Sequence, residues 1–134
     1  MKRSFVKDGL RFEATLPDPN REYSQPGFLE VYDGANLVND SPIGFGIYRR
    51  DGNCTAEVGD FFLKKEFQRH NYGTRIWTVL KSIILEYKPE SVSLLLRGSE
   101  GFWEKMGFVR DGDYMKLESV EKSSPREEND TLTK

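Results

Sequence analysis

The sequence predicts an α/β domain, a mixed and mostly antiparallel sheet carrying one long helix and a short second one. Three observations predict it. Short alternating segments separated by turn-forming stretches fill the first half of the chain. Tyr72, Ile76, Val79, Leu80, Ile83, Ile84 and Tyr87 then recur at three- and four-residue steps, the spacing of one buried helix face over residues 71–87. The apolar run of residues 91–96 follows, and it reads as a buried strand of the parallel kind.

The first expected strand covers residues 10–16, where apolar positions alternate with Arg11, Glu13 and Thr15 until Pro17 ends it. Residues 18–27 are dense in Pro, Asn, Asp, Ser and Gly and read as a loop. Residues 28–32 return to strand, Asp33-Gly34 signals a hairpin, and residues 39–42 break the chain again. Residues 43–48 form the next strand, turned back by residues 49–53 towards a β-prone stretch at residues 55–63. The front half is therefore an antiparallel meander without a helix. Residues 102–106 suit a short helix closed by Gly107 in a left-handed cap, with Phe108 packed on the core. Residues 109–113, a strand running into a turn, and a last strand over residues 114–117 complete a domain of residues 1–119, and the Glu-, Lys- and Ser-rich residues 120–134 read as a disordered tail.

A chain of 134 residues is the size of one domain. Its net charge of −2 and scattered Lys and Arg argue against a nucleic-acid groove, which needs a basic stripe, and against a membrane surface. The single cysteine, Cys54, cannot form an internal disulfide and is expected as a small residue in a turn, which suits a reducing compartment. No long apolar run follows the N-terminal Met-Lys-Arg-Ser, and none is long enough to span a bilayer. A soluble cytoplasmic protein, monomer or homodimer, is the expectation. With His70 as the only histidine, no metal site is expected.

The richest chemistry lies in Gln68, Arg69, His70, Asn71, Tyr72, Gly73 and Thr74, a polar loop entering the long helix. The first turn of a helix leaves its N–H groups unpaired and carries the positive end of the macrodipole, so it favours a phosphate. Asn71 tolerates a left-handed backbone and Gly73 allows close approach. Arg69 adds a fork of donors, Thr74 a hydroxyl and Gln68 an uncharged amide. Many helices begin with such residues and bind nothing, so alone the signal is weak.

The stretch resembles the acetyl-coenzyme A motif of the GNAT acyltransferase superfamily, Q/R-x-x-G-x-G/A between a strand and a helix. Gln68 takes the first position, Asn71 replaces the first glycine and Gly73 is the second. Residues 101–108, Gly-Phe-Trp-Glu-Lys-Met-Gly-Phe, resemble the later GNAT motif. The resemblance implies a central strand splayed from its neighbour, with Phe62 and Leu63 pairing their backbone to the pantetheine of acetyl-coenzyme A. A backbone N–H there would stabilise the thioester oxygen as charge develops. It implies the residues of the loop from Gln68 to Thr74 as phosphate ligands. It also implies acyl transfer to an amine-bearing acceptor, whether small molecule, polyamine, protein lysine or N-terminus.

In the histone acetyltransferase branch, a glutamate six residues before the position of Leu63 is the general base, and Glu57 stands there. It reads equally as a solvated strand carboxylate. Asp60 is the reserve, although strand alternation puts it on the opposite face unless a bulge intervenes. Trp103 occupies the place of a tyrosine that many GNAT enzymes use to protonate the departing thiolate, and an indole cannot do so. Trp103 is expected to pack in the core, against pantetheine at most. GNAT domains usually carry one or two helices after their first strand, and here residues 17–27 stand in their place. A coenzyme A-binding or protein-interaction module without catalysis is the rival reading.

Overall fold

The computed structural model describes residues 1–19, 23–68 and 70–118. The strands, in chain order, are β1 (Lys2–Lys7), β2 (Leu10–Thr15), β3 (Tyr23–Asp33), β4 (Asn36–Leu37), β5 (Ile43–Arg50), β6 (Asn53–Val58), β7 (Ser91–Leu95), β8 (Val109–Asp111) and β9 (Tyr114–Glu118). They form one sheet in the order β1-β2-β3-β5-β6-β7-β9-β8, with β4 paired to β3. The β6–β7 pair is parallel and the other described pairs are antiparallel. The helices are α1 (Tyr72–Leu85) and α2 (Glu100–Lys105). The mixed α/β architecture agrees with the sequence reading.

Alternation along the strands sorts their side chains onto two faces. Leu10, Phe12, Leu29, Val31, Ile43, Phe45, Ile47, Ala56, Val58, Val92 and Leu94 are buried on one face, and α1 lays Ile76, Trp77, Val79, Leu80, Ile83 and Ile84 into the same core. Trp77 widens the helix stripe, as its offset by one position suggests. α2 packs Trp103 edge-on against Trp77, so both helices share that face. Among the described residues no helix covers the other face, where Glu13, Glu30, Tyr48 and Glu57 stand. No helix of the described residues is long and apolar enough to cross a membrane.

Four sequence expectations need correction. β1 was not foreseen; it is an edge strand joined to β2 through Asp8 and Gly9, both at positive φ, a two-residue hairpin turn. β3 begins at Tyr23, inside the expected loop. Pro26 is tolerated there because Gly44 directs its N–H and C=O towards β6, so by alternation Pro26, opposite Gly46, points its missing donor away from β5. On that outer side β2 has already ended, its last partner being Phe28. Cys54 lies in β6, not in a turn, with its Sγ 3.4 Å from the Tyr87 carbonyl; burial pushes the thiol pKa up. The strand expected over residues 55–63 pairs as β6 only to Val58. Residues 119–134, including the proposed tail, lie outside the described residues.

Gly27 faces the ring of Phe45 so closely that an added Cβ would lie 2.3–2.7 Å from three of its carbons. Gly27→Ala is therefore expected to overpack this crossing and cost about 1–3 kcal/mol, read as a lower urea midpoint. Arg3 holds Glu86 in a two-pronged pair, at 2.9 and 3.0 Å, tying β1 to the end of α1. Its hydrogen bonds, partly opposed by desolvation, lower the Glu86 pKa below 4.5. A depressed carboxylate stabilises above its unfolded pKa and loses that contribution as pH falls through the folded one. Both side chains are about half exposed, so Arg3→Ala should cost under about 1 kcal/mol at pH 7, with the difference closing below pH 4.5.

Candidate active site

The site begins where β6 leaves the sheet. β6 pairs with β7 only from Ala56 to Val58, opposite Val92 to Leu94. Gly59 N–H then donates to Gly44 O at 2.7 Å while Gly44 N–H donates to Asp60 O at 3.2 Å, so two residues stand opposite one. That is a β-bulge. Beyond it the chain turns to the β4 side, where Asp40 N–H donates to Phe62 O and Lys64 N–H to Val38 O. Leu63 bridges Asn39, and by parity its own N–H and C=O point away from that pairing. The strands therefore splay.

A cleft of ≈440 Å³ lies against residues 61–63 of the departing segment, between it, the start of α1 and α2. Phe62, Leu63, Gln68, His70, Asn71, Tyr72, Gly73, Thr74 and Trp103, which are the described members of the sequence-derived cofactor set, all line it. Arg69 lies outside the described residues. The sequence reading missed Phe61, Ser99, Phe102 and Lys105, which also line it. The Phe102 ring closes one side because Gly73 leaves it room: a Cβ on Gly73 would lie 3.2 Å from that ring.

The loop has the backbone shape expected of an anion cradle. His70 and Asn71 both take positive φ, 61° and 63°. The N–H groups of Tyr72 and Thr74 have no acceptor among the described residues, whereas Arg75 N–H bonds Asn71 O and starts the helical ladder. These free donors at the positive end of α1 fit a phosphate group. Gln68 behaves differently from expectation: its Nε2 donates to Leu63 O at 3.0 Å, so this amide braces the splayed strand. A carbonyl has two lone pairs and can accept another donor there. Tyr72 donates its hydroxyl to Asp33 Oδ2 at 2.6 Å, and that bond, with burial, raises the phenol's pKa. It straps the β3–β4 turn to the start of α1.

Trp103 is buried in an aromatic cluster, 5.2 Å from Phe61, 4.8 Å from Phe102, 5.4 Å from Trp77 and 5.2 Å from Phe108. Core packing accounts for it. Its indole forms part of the cleft floor.

Glu57 and Asp60 line a separate groove of ≈300 Å³ on the open face, with Phe28, Gly44, Gly46, Tyr48 and Gly59. The bulge brings Asp60 to the side of Glu57, the exception that strict alternation required. Asp60 pairs with Arg97 at 3.3 Å. Glu57, half-buried, accepts the Tyr48 hydroxyl at 3.0 Å and has no cation partner among the described residues. Tyr48 lies across Gly46, whose added Cβ would meet the ring at 3.0–3.1 Å. The sequence signal for this wall was available in Gly44-Phe45-Gly46, since alternate glycines in a strand mark close approach. Asp60 and Phe61 are consecutive, one lining each hollow, so the two hollows flank one short segment. Among the described residues no three His, Cys, Asp or Glu side chains gather as a metal site.

Residues 5–108 match the sequence profile described as "Acetyltransferase (GNAT) family". No curated protein sequence matches significantly. Solved structures do match. A PaiA N-acetyltransferase from Thermoplasma acidophilum, in complex with coenzyme A, aligns at TM-score 0.52 and 18% identity over 68% of this chain and 59% of that one. This chain thus spans under two thirds of that enzyme's length. A GNAT family acetyltransferase from Elizabethkingia anophelis with acetyl-CoA bound aligns at 0.56 and 11%, over 84% and 99%. A KacTA–DNA complex aligns at 0.57 and 11%, over 77% and 74%. At these identities the structural likenesses establish the fold.

The left-handed backbone at Asn71 makes a local prediction. Asn71→Gly should change stability by only a few tenths of a kcal/mol, whereas Asn71→Val should cost about 1–2 kcal/mol, measured by urea unfolding.

Proposed function

The chain belongs to the GNAT acetyltransferase family, and from that premise we propose that it transfers an acetyl or other small acyl group from coenzyme A to a primary amine by direct attack, with Glu57 as general base. The observation that carries the reading is the pair of hollows on either side of residues 59–63, one with backbone donors that have no acceptor among the described residues and one holding a carboxylate, Glu57, that has no cation partner among them.

Tyr72 and Thr74 N–H groups, the Thr74 hydroxyl and the Lys105 ammonium would hold the linked phosphates. Leu63 would present its backbone N–H, and its carbonyl shared with Gln68, to the pantetheine amides. Acetyl-coenzyme A supplies the thioester, whose carbonyl carbon gains a C–N bond as its C–S bond breaks. An acceptor ammonium with a pKa near about 10.4 is mostly protonated at neutral pH, and only the free amine attacks. Glu57 takes that proton, directly or through a water, while Tyr48 keeps its carboxylate turned into the groove. Asp60 is the reserve, since it is already engaged with Arg97. Trp103 offers no transferable proton, and a thiol with a pKa of about 8.5 leaves without one.

Isothermal titration with acetyl-coenzyme A should show saturable binding, and its absence would refute the cofactor reading. Glu57→Gln should lower kcat/KM by about 10²- to 10⁴-fold with the acetyl-coenzyme A Kd unchanged. Unaltered turnover would remove Glu57 as the base. Binding without turnover on any amine, in the unmodified chain, would favour the catalytically silent module that Trp103 keeps open.

A further inference from the structure

Resting on the acyl-transfer reading above, we propose that the groove over Gly44, Gly46 and Gly59 is the acceptor slot and that it selects an unbranched alkyl primary amine, the ω-aminoalkyl group common to free linear amines and lysine side chains. Shape comes first. On its open face β5 carries two successive positions without side chains, Gly44 and Gly46, and the bulge adds Gly59 beside them. The open floor is therefore the backbone at Gly44 and Gly59, bounded along β5 by the Tyr48 ring that covers Gly46.

Two aromatic rings wall it. Phe28 is 45% and Tyr48 38% exposed, so both rings present apolar surface to the groove they line. The nearest atom to a Cβ built on Gly44 is in the Phe28 ring, at 4.0 Å, so Gly44 is open to a ligand chain. Tyr48 is less free to move: its ring rests on Gly46 and its hydroxyl is bonded to Glu57. A methylene chain can lie between the rings, while branching beside the nitrogen must displace a ring that is held at both ends.

The lining chemistry agrees. Among the described residues the groove is lined by the carboxylates of Glu57 and Asp60 and by no Lys or Arg side chain, Arg97 reaching Asp60 from outside it. An amine carrying a neighbouring carboxylate therefore meets like charge, and the Arg97 guanidinium is already paired with Asp60. An ammonium meets two carboxylates, and contact with an aromatic ring adds about 0.5–1 kcal/mol at an exposed site. An aryl amine, uncharged at neutral pH, gains neither attraction.

The test measures thiol release from acetyl-coenzyme A with n-butylamine, sec-butylamine, aniline and Nα-acetyl-lysine amide. The expected result is a kcat/KM for n-butylamine about tenfold or more above sec-butylamine, with aniline inactive. Phe28→Ala should widen the slot and reduce that ratio at least about threefold, and Gly44→Ala should raise KM for n-butylamine with the acetyl-coenzyme A Kd unmoved. Better turnover of Nα-acetyl-lysine amide than of n-butylamine identifies a lysine side chain as the source of the amine, and the reverse identifies a free linear amine. Equal or faster reaction of the branched or aryl amine overturns the slot while leaving acyl transfer intact. No transfer to any linear amine, with acetyl-coenzyme A still bound, also overturns it and spares the cofactor cleft. Loss of acetyl-coenzyme A binding itself takes down the underlying reading and the slot together.

Discussion

The divergence of β6 from β7 after Val58 is the constraint on which both hollows depend, and a buried side chain holds it. Asn39 is fully buried; its Oδ1 accepts Val31 N–H at 2.8 Å and its Nδ2 donates to Ser41 O at 2.8 Å. These bonds fix the backbone of residues 38–40 in the shape that pairs with residues 62–64. An apolar residue at this position would leave the buried Val31 N–H without its partner, a cost of about 1–3 kcal/mol, and would release Ser41 O. The polar groups of Leu63 consequently face the splay, and the parallel neighbour β7 goes on to pair with β9. The bulge at Gly59 and Asp60 is the other half of the same device, because it changes strand parity where the chain leaves the ladder.

The second half of the fold was legible because its signals are local. A 3.6-residue period over four turns, an apolar strand and a glycine cap at Gly107, observed at φ 100°, each declare themselves within a few residues. The first half depends on pairing across the chain. β1 has a weak apolar pattern, with Phe5 stacked on Phe12 and Arg3 paired to Glu86 as its anchors, and the Asp8-Gly9 hairpin was its one clear mark. Residues 23–27 carry Pro and Gly, which locally read as loop, and β5 overrides that preference by pairing with them.

The candidate site divides along the same line. Gln68 to Thr74 are contiguous, so a motif could expose them together, and Asn71 does adopt the backbone its chemistry tolerates. The groove beside Glu57 draws Phe28, Gly44, Tyr48 and Glu57 from three strands, β3, β5 and β6, and only their register brings them side by side. Sequence distance hid Tyr48 from Glu57, nine residues apart across the β5–β6 hairpin. The helices that would wall this face in the wider family are replaced among the described residues by strand, which leaves the slot defined by the sheet's own side chains.

Gly73 shows how a motif residue can be right for a reason other than the one first read. It sits within α1 and is absent from the positive-φ residues, so no left-handed turn demands glycine there. The demand comes from Phe102, whose ring would press on any Cβ at 3.2 Å. Phe102 in turn packs on Trp103, and Trp103 on Trp77 of the same helix. Loop, helix start and α2 are thereby one packed unit, and the donors of Tyr72 and Thr74 are set at a fixed distance from the cleft floor. Preorganisation of that kind lowers the ordering cost of binding a flexible ligand. It also explains how a bulky tryptophan can stand where a tyrosine is common in that motif: its volume fixes the floor against which the loop at residues 70–74 is held.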